Sequence, residues 1–211
     1  MFTNDLYYIV PAALIAVMIH EISHGLMSTW LGDPTPKAQG RLTFNLFRHL
    51  DVFGTLSLIF FGFGWAKPVE IDPRYYKNVK SGTALVALAG PISNFILAFL
   101  SLFLYLLIFK ILGWELTGFL SIVSNFFYYL TIISIGLGVF NLIPFPPLDG
   151  SKILAIILPD NWYRKLMQYE RIGILILVIL IILNVLDKPL HWLITNSVEL
   201  FYNIVAFILN I

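Results

Sequence analysis

The sequence contains no cysteine. That absence excludes disulfides, iron–sulfur clusters and thiolate zinc sites, so any metal must be held by His, Asp or Glu. Charge is scarce as well: Asp, Glu, Lys and Arg make up 12% of the 211 residues, whereas 59% are hydrophobic. Soluble domains average about 25% charged and about 45–50% apolar. Too few charges remain to cover a water-facing surface, and the chain reads as an integral membrane protein embedded in a lipid bilayer. The net charge of +1 lacks the basic excess that nucleic-acid binding needs. Met1 to Asp5 contains no basic residue and no small-residue cleavage site follows cleanly, so no cleavable signal is expected. Internal repeats and low-complexity tracts are missing, and there is no room for an appended soluble domain. Aromatic residues are plentiful, with 18 Phe, 10 Tyr and 5 Trp, and they suit lipid-facing and interfacial positions.

Apolar segments lie at 6–30, 52–65, 83–109, 118–143, 171–186 and 190–209. A helical span needs about 20 apolar residues. The first, third and fourth segments meet that length, and the last two lie near its lower limit. Leu186-Asp187-Lys188-Pro189 separates those two and suits a turn between antiparallel helices. The 52–65 segment is short and carries Gly54, Gly62 and Gly64, which favours a re-entrant element over a crossing. The expectation is therefore an all-α polytopic membrane protein. It has about five spans, one re-entrant element and, from the alternation in Arg41-Leu42-Thr43-Phe44-Asn45-Leu46, a short strand or hairpin within 36–48. The chain is read as a single domain over 1–211, with a core at about 6–155 and C-terminal helices at about 171–209.

Basic residues fix an orientation. Lys37, Arg41, Arg48, Lys67, Arg74, Lys77 and Lys80 cluster in one stretch, and Lys152, Arg164, Lys165 and Arg171 in another. If 52–65 does not cross, both stretches share one face, which the positive-inside rule makes cytoplasmic. The N-terminus is then outside and the C-terminus inside.

Chemistry is concentrated in His20-Glu21-Ile22-Ser23-His24, an H-E-x-x-H pattern. On a helix, residues four apart are separated by about 40° and about 6 Å of rise. His20 and His24 can therefore reach one zinc ion from the same face, with Glu21 beside the metal as a base for its water. Ionisable residues inside an apolar helix are costly and commonly functional. The same three residues could instead line a helix interface or a proton path. A catalytic zinc site normally takes three protein ligands and keeps one open position. Asp149 is the candidate third ligand, because Pro144, Pro146 and Pro147 prevent a regular helix before it. Irregular backbone at membrane depth is tolerated where it is buried in protein or lines a cavity. Asp149 could equally cap the helix starting near Ser151. Topology favours the ligand, because the first and fourth segments both run outside to inside and end on the same side.

These residues resemble those of the site-2 proteases, polytopic zinc metalloproteases that cleave transmembrane substrates. The resemblance rests on His-Glu-Ile-Ser-His at 20–24 and on the Asn141-to-Gly150 run with its three prolines. Gly90-Pro91-Ile92-Ser93-Asn94 and Gly64-Trp65-Ala66-Lys67-Pro68-Val69 strengthen it. It covers about residues 12–155 and implies one zinc ion on His20, His24 and Asp149, with Glu21 as the catalytic glutamate. It also implies that Asn94 positions the substrate or the active site, and that the chain is a compact form without regulatory domains. Transmembrane protein substrates follow from the same likeness, as does a prokaryotic cell membrane as the location.

Read from the residues alone, Asn94 could bond a substrate backbone or the developing oxyanion, or could join two helices. Asn141 has the same options and lies nearer the break. His49 and Asp51 form a second polar pair: groups that support the metal ligands, an accessory metal site, part of a substrate gate, or a surface pair without metal, the last favoured because two ligands rarely close a site. The 36–48 element could bind an unwound substrate strand by edge addition. Two other functions use the same residues. A metal-ion transporter or sensor would need a polar route through several spans, and 83–109, 118–143 and 171–186 hold few ionisable residues. An inactive membrane chaperone would be expected to have lost Glu21 or a ligand, and all four are present.

Overall fold

A computed structural model describes residues 5–51, 53, 54, 56, 57, 67–113, 115–154, 156–159, 161, 162, 165, 168 and 170–211. Helix α1 (Leu6–Trp30) runs into a one-turn helix α2 (Thr35–Ala38). Helix α3 (Val79–Leu112) follows, then α4 (Gly118–Asn141), the short α5 (Asp149–Leu154), α6 (Glu170–Ile182) and α7 (Asp187–Leu209). The chain is all-α and polytopic, and among the described residues four helices are long and apolar enough to cross a membrane: α1, α3, α4 and α7. The segment expected to form the remaining span holds α6, whose 13 described residues reach about 20 Å. The 52–65 element lies mostly outside the described residues.

Local signals set the helix limits. The Asn78 side chain accepts from the Ser81 N–H and starts α3. Gly113, at φ 84°, ends it in a conformation that side chains resist. The 34 residues of α3 span about 51 Å, so this helix outruns the bilayer core or tilts within it.

Helices α1, α3 and α4 pack on one another, and α7 closes against α3 and α4. Ala12 and Ala16 let α1 approach Leu130 of α4 closely. Ala98, Ile135 and Val139 form a second cluster with Leu190 and Ile194 of α7. Leu102 and Leu106 meet Val205 and Leu209 farther along. The outward faces stay apolar, with Ile96, Leu100, Phe119, Leu175 and Phe207 all exposed. That is the expected dress of lipid-facing helices.

The expected strand within 36–48 is absent among the described residues. Leu46–Arg48 is instead a 3-10 turn, and an isolated bridge at Leu50 is the nearest approach to a sheet. Side chains take over the backbone bonding there. Asn45 Oδ1 accepts from the Phe47 N–H at 3.1 Å. The buried Arg41 guanidinium donates to the carbonyls of Arg48, Lys67 and Pro68. Backbone groups engaged in this way are not offered to a ladder.

A second polar cluster pins the end of α1. Asp33 is fully buried and accepts from Ser28 Oγ at 2.6 Å, Asp72 N–H at 2.8 Å and Thr35 N–H at 2.9 Å. Ser28 also bonds Tyr76 Oη at 2.7 Å. The cluster holds the extended 67–72 stretch against α1.

Candidate metal centre

His20 and His24 lie one helical turn apart on α1, and their Nε2 atoms stand 2.9 Å from each other. Asp149 Oδ2 lies 3.2 Å from both. These three residues are the one group of ligating side chains found close together among the described residues. Ligand atoms about 2.0–2.1 Å from a tetrahedral zinc ion stand about 3.3–3.4 Å apart. The observed triangle is close to that size. His20 and Asp149 are buried, at 5% and 7% exposure, and Asp149 Oδ2 is sealed from solvent beside the two rings. Two imidazole nitrogens and a buried carboxylate oxygen packed this closely call for a proton or a cation among them. The donor set fits a divalent metal of zinc type.

Asp149 arrives on a tight turn. Phe145 N–H donates to the Ile143 carbonyl at 2.7 Å, and Leu148 N–H to the Phe145 carbonyl at 2.9 Å. A Cβ on Gly150 would stand 2.3 Å from the carbonyl oxygens of both Leu142 and Ile143. Only glycine fits there. Asp149 is the first residue of α5 rather than a cap ahead of Ser151, and its Oδ2 faces the histidines. Lys152 Nζ lies 3.8 Å from the other carboxylate oxygen.

Helix α3 completes the centre through three positions spaced four apart. The Val86 carbonyl lies 2.7 Å from His24 Nδ1. A carbonyl only accepts, so Nδ1 carries the proton and neutral His24 presents the Nε2 lone pair inward. Gly90 leaves room for both rings: a Cβ there would lie 2.6 Å from Cε1 of His20 and from Cε1 and Nε2 of His24. Asn94 is fully buried, with its Nδ2 3.0 Å from His20 Nδ1.

Glu21 is held by the backbone that follows the 52–65 segment. Its Oε2 accepts the Val69 N–H at 2.8 Å, which ties the helix to the extended stretch. Asn141 donates to the Leu137 carbonyl one turn back, at 3.0 Å, and is not part of the ligand group. His49 is buried, so the surface-pair reading is corrected for it: its Nε2 donates to the Thr43 carbonyl at 2.8 Å. Asp51 Oδ1 accepts the Gly54 N–H at 2.8 Å. Among the described residues, neither joins a metal-ligating group. Reasoning from sequence alone missed the Val86 carbonyl and the Val69 N–H, since backbone atoms leave no residue signature. For Gly90, its place in the Gly-Pro pair was the available signal.

The pattern of Peptidase family M50 matches residues 8–186. The chain is 38% identical over 176 residues to YwhC of Bacillus subtilis (strain 168), which is named a candidate zinc metalloprotease. That match covers 83% of this chain and 80% of YwhC. It is 26% identical over 185 residues to Rip2 of Mycolicibacterium smegmatis, which carries the same kind of name, over 85% of this chain and 68% of Rip2. A shorter match, 43% over 65 residues, links it to spr0242 of Streptococcus pneumoniae, over 28% of this chain and 16% of that protein. No solved structure matches the chain. With the family pattern covering most of its length, and with apolar helices able to span a bilayer, this chain belongs to peptidase family M50, the site-2 protease family of integral membrane proteins.

Proposed function

We propose that the chain is a zinc-dependent endopeptidase that hydrolyses peptide bonds within or near transmembrane segments of other proteins. The observation that supports this reading most is the triangle of His20 Nε2, His24 Nε2 and Asp149 Oδ2, with sides of 2.9, 3.2 and 3.2 Å. These residues would hold one zinc ion. When bound, zinc would polarise a scissile carbonyl and make a water molecule more acidic.

The chain's own residues supply the rest. Val69 N–H fixes Glu21 Oε2, which leaves Oε1 to take the proton of the attacking water and return it to the leaving amine. The buried setting of His20 and Asp149 keeps bulk water from competing for the ligand atoms. A substrate helix must unwind locally, because a closed helix hides its carbonyls. If 52–65 does not cross, the clustered basic residues support an active site toward the cytoplasmic side by the positive-inside rule. A bacterial cell membrane is the natural location, given the bacterial relatives.

Glu21→Gln is the decisive substitution. The variant is expected to keep zinc while cleavage of a membrane substrate falls about 10²–10⁴-fold, the usual contribution of a general base. Full-rate cleavage by the variant would refute the mechanism. Membrane proteins that accumulate in cells carrying Glu21→Gln would identify the substrates.

A further inference from the structure

The two imidazoles of the centre are held in different ways. His24 donates Nδ1–H to the Val86 carbonyl, which can do nothing but accept. In the neutral ring its Nε2 is therefore presented as a ligand. His20 faces the carboxamide of Asn94, which can donate from one end or accept at the other. In the structure Asn94 turns its Nδ2 toward His20 Nδ1 at 3.0 Å. An amide that donates there leaves the proton of neutral His20 on Nε2, directed at His24 Nε2 and Asp149 Oδ2. A protonated Nε2 has no lone pair for a metal. Asn94 Oδ1 is buried and accepts no hydrogen bond. No bond therefore holds the oxygen end in place, and a half-turn of the amide breaks only the His20 contact that it then remakes.

We infer that Asn94 is a positioning residue that sets the tautomer of His20. With Nδ2 toward the ring, the centre is closed to metal. With Oδ1 toward the ring, Asn94 accepts Nδ1–H and His20 presents the Nε2 lone pair. The number of protons on His20 is the same in both arrangements. His24 is a fixed ligand and His20 a switched one, and α3 carries both controls eight residues apart. The inference rests on the zinc-hydrolase reading of this site.

Zinc titration by chelator competition tests it, using the full chain in lipid nanodiscs. Asn94→Leu cannot accept Nδ1–H and is expected to bind zinc about 10–100-fold more weakly, the usual cost of losing a partner behind a metal-bound histidine. Asn94→Asp can only accept and is expected to bind at least as tightly as wild type. An oxyanion donor would behave otherwise: both substitutions would cut turnover and neither would change zinc affinity. Histidine 15N spectra of the wild type give a readout that does not depend on any variant folding. His20 Nδ1 is expected to be unprotonated without zinc and protonated with it, whereas His24 Nδ1 is protonated in both states. Equal zinc affinity in wild type and Asn94→Leu would overturn the inference, as would an unprotonated His20 Nδ1 in the zinc-loaded protein. Failure of the wild type to take up one zinc ion would instead overturn the hydrolase reading beneath it.

Discussion

Gly90→Ala adds one methyl group where α3 faces both imidazoles. The new Cβ would stand 2.6 Å from His20 Cε1 and from His24 Cε1 and Nε2, whereas ordinary contact begins at 3.4 Å. The difference, 3.4 − 2.6, is about 0.8 Å, and the rings or the helix must move by that much. Metal–ligand distances tolerate only about ±0.2 Å, so a shift of this size cannot be absorbed within the ligand triangle. The rings have little room to retreat, since His24 is tied to Val86 and His20 to Asn94. Overpacking of this kind costs about 1–3 kcal/mol. A displacement near 1 Å at a reacting centre can lower rates about 10²-fold. The expected outcome is at least a tenfold loss of zinc affinity together with a lower unfolding midpoint. Chelator competition and thermal unfolding in detergent measure the two effects on one preparation. Wild-type zinc affinity in a stably folded Gly90→Ala protein would refute the close approach of α3 to the rings.

Other outcomes follow from the same geometry. Asp149→Asn removes the only carboxylate of the ligand triangle, and metal analysis should find the purified variant with far less than one zinc per chain. Gly150→Ala forces a Cβ to 2.3 Å from two carbonyl oxygens and should destabilise the chain by about 3 kcal/mol, the upper end of the overpacking range, measured by denaturant unfolding. His49→Ala should leave zinc stoichiometry unchanged and lower stability by about 1 kcal/mol through its lost bond to Thr43; loss of zinc would show that His49 is a ligand. Burial alone would raise the Asp33 carboxyl pKa, but hydrogen bonds from Ser28, Thr35 and the Asp72 backbone outweigh it and hold the group below its usual value. Its stabilising effect is then complete above the unfolded value of about 3.9 and is lost as pH falls through the lower folded value. Asp33→Asn should flatten the fall of the unfolding midpoint below about pH 4, and an unchanged acid limb would refute that role.

The sequence announces those parts of the centre that lie within one helical repeat. His20, Glu21 and His24 could be read directly, because a spacing of four is itself a statement about geometry. Asp149 needed a further step, since only topology places residue 149 beside residue 20. The α3 contacts were legible only in part: Asn94 and the Gly90-Pro91 pair stood out, but their partners lie across 62 to 74 positions of chain, and Val86, which acts through its backbone, left no signal. Arg41 to Leu46 misled for another reason. Its alternation resembles a strand, but Arg41 and Asn45 satisfy nearby backbone groups with their side chains.

The stripe of 86, 90 and 94 gives α3 a second property. A slide of one residue along α1 would move a helix by about 1.5 Å and turn its face by about 100°. Such a step would withdraw the carbonyl, the gap and the amide together, so the metal pocket exists in only one register of the α1–α3 pair.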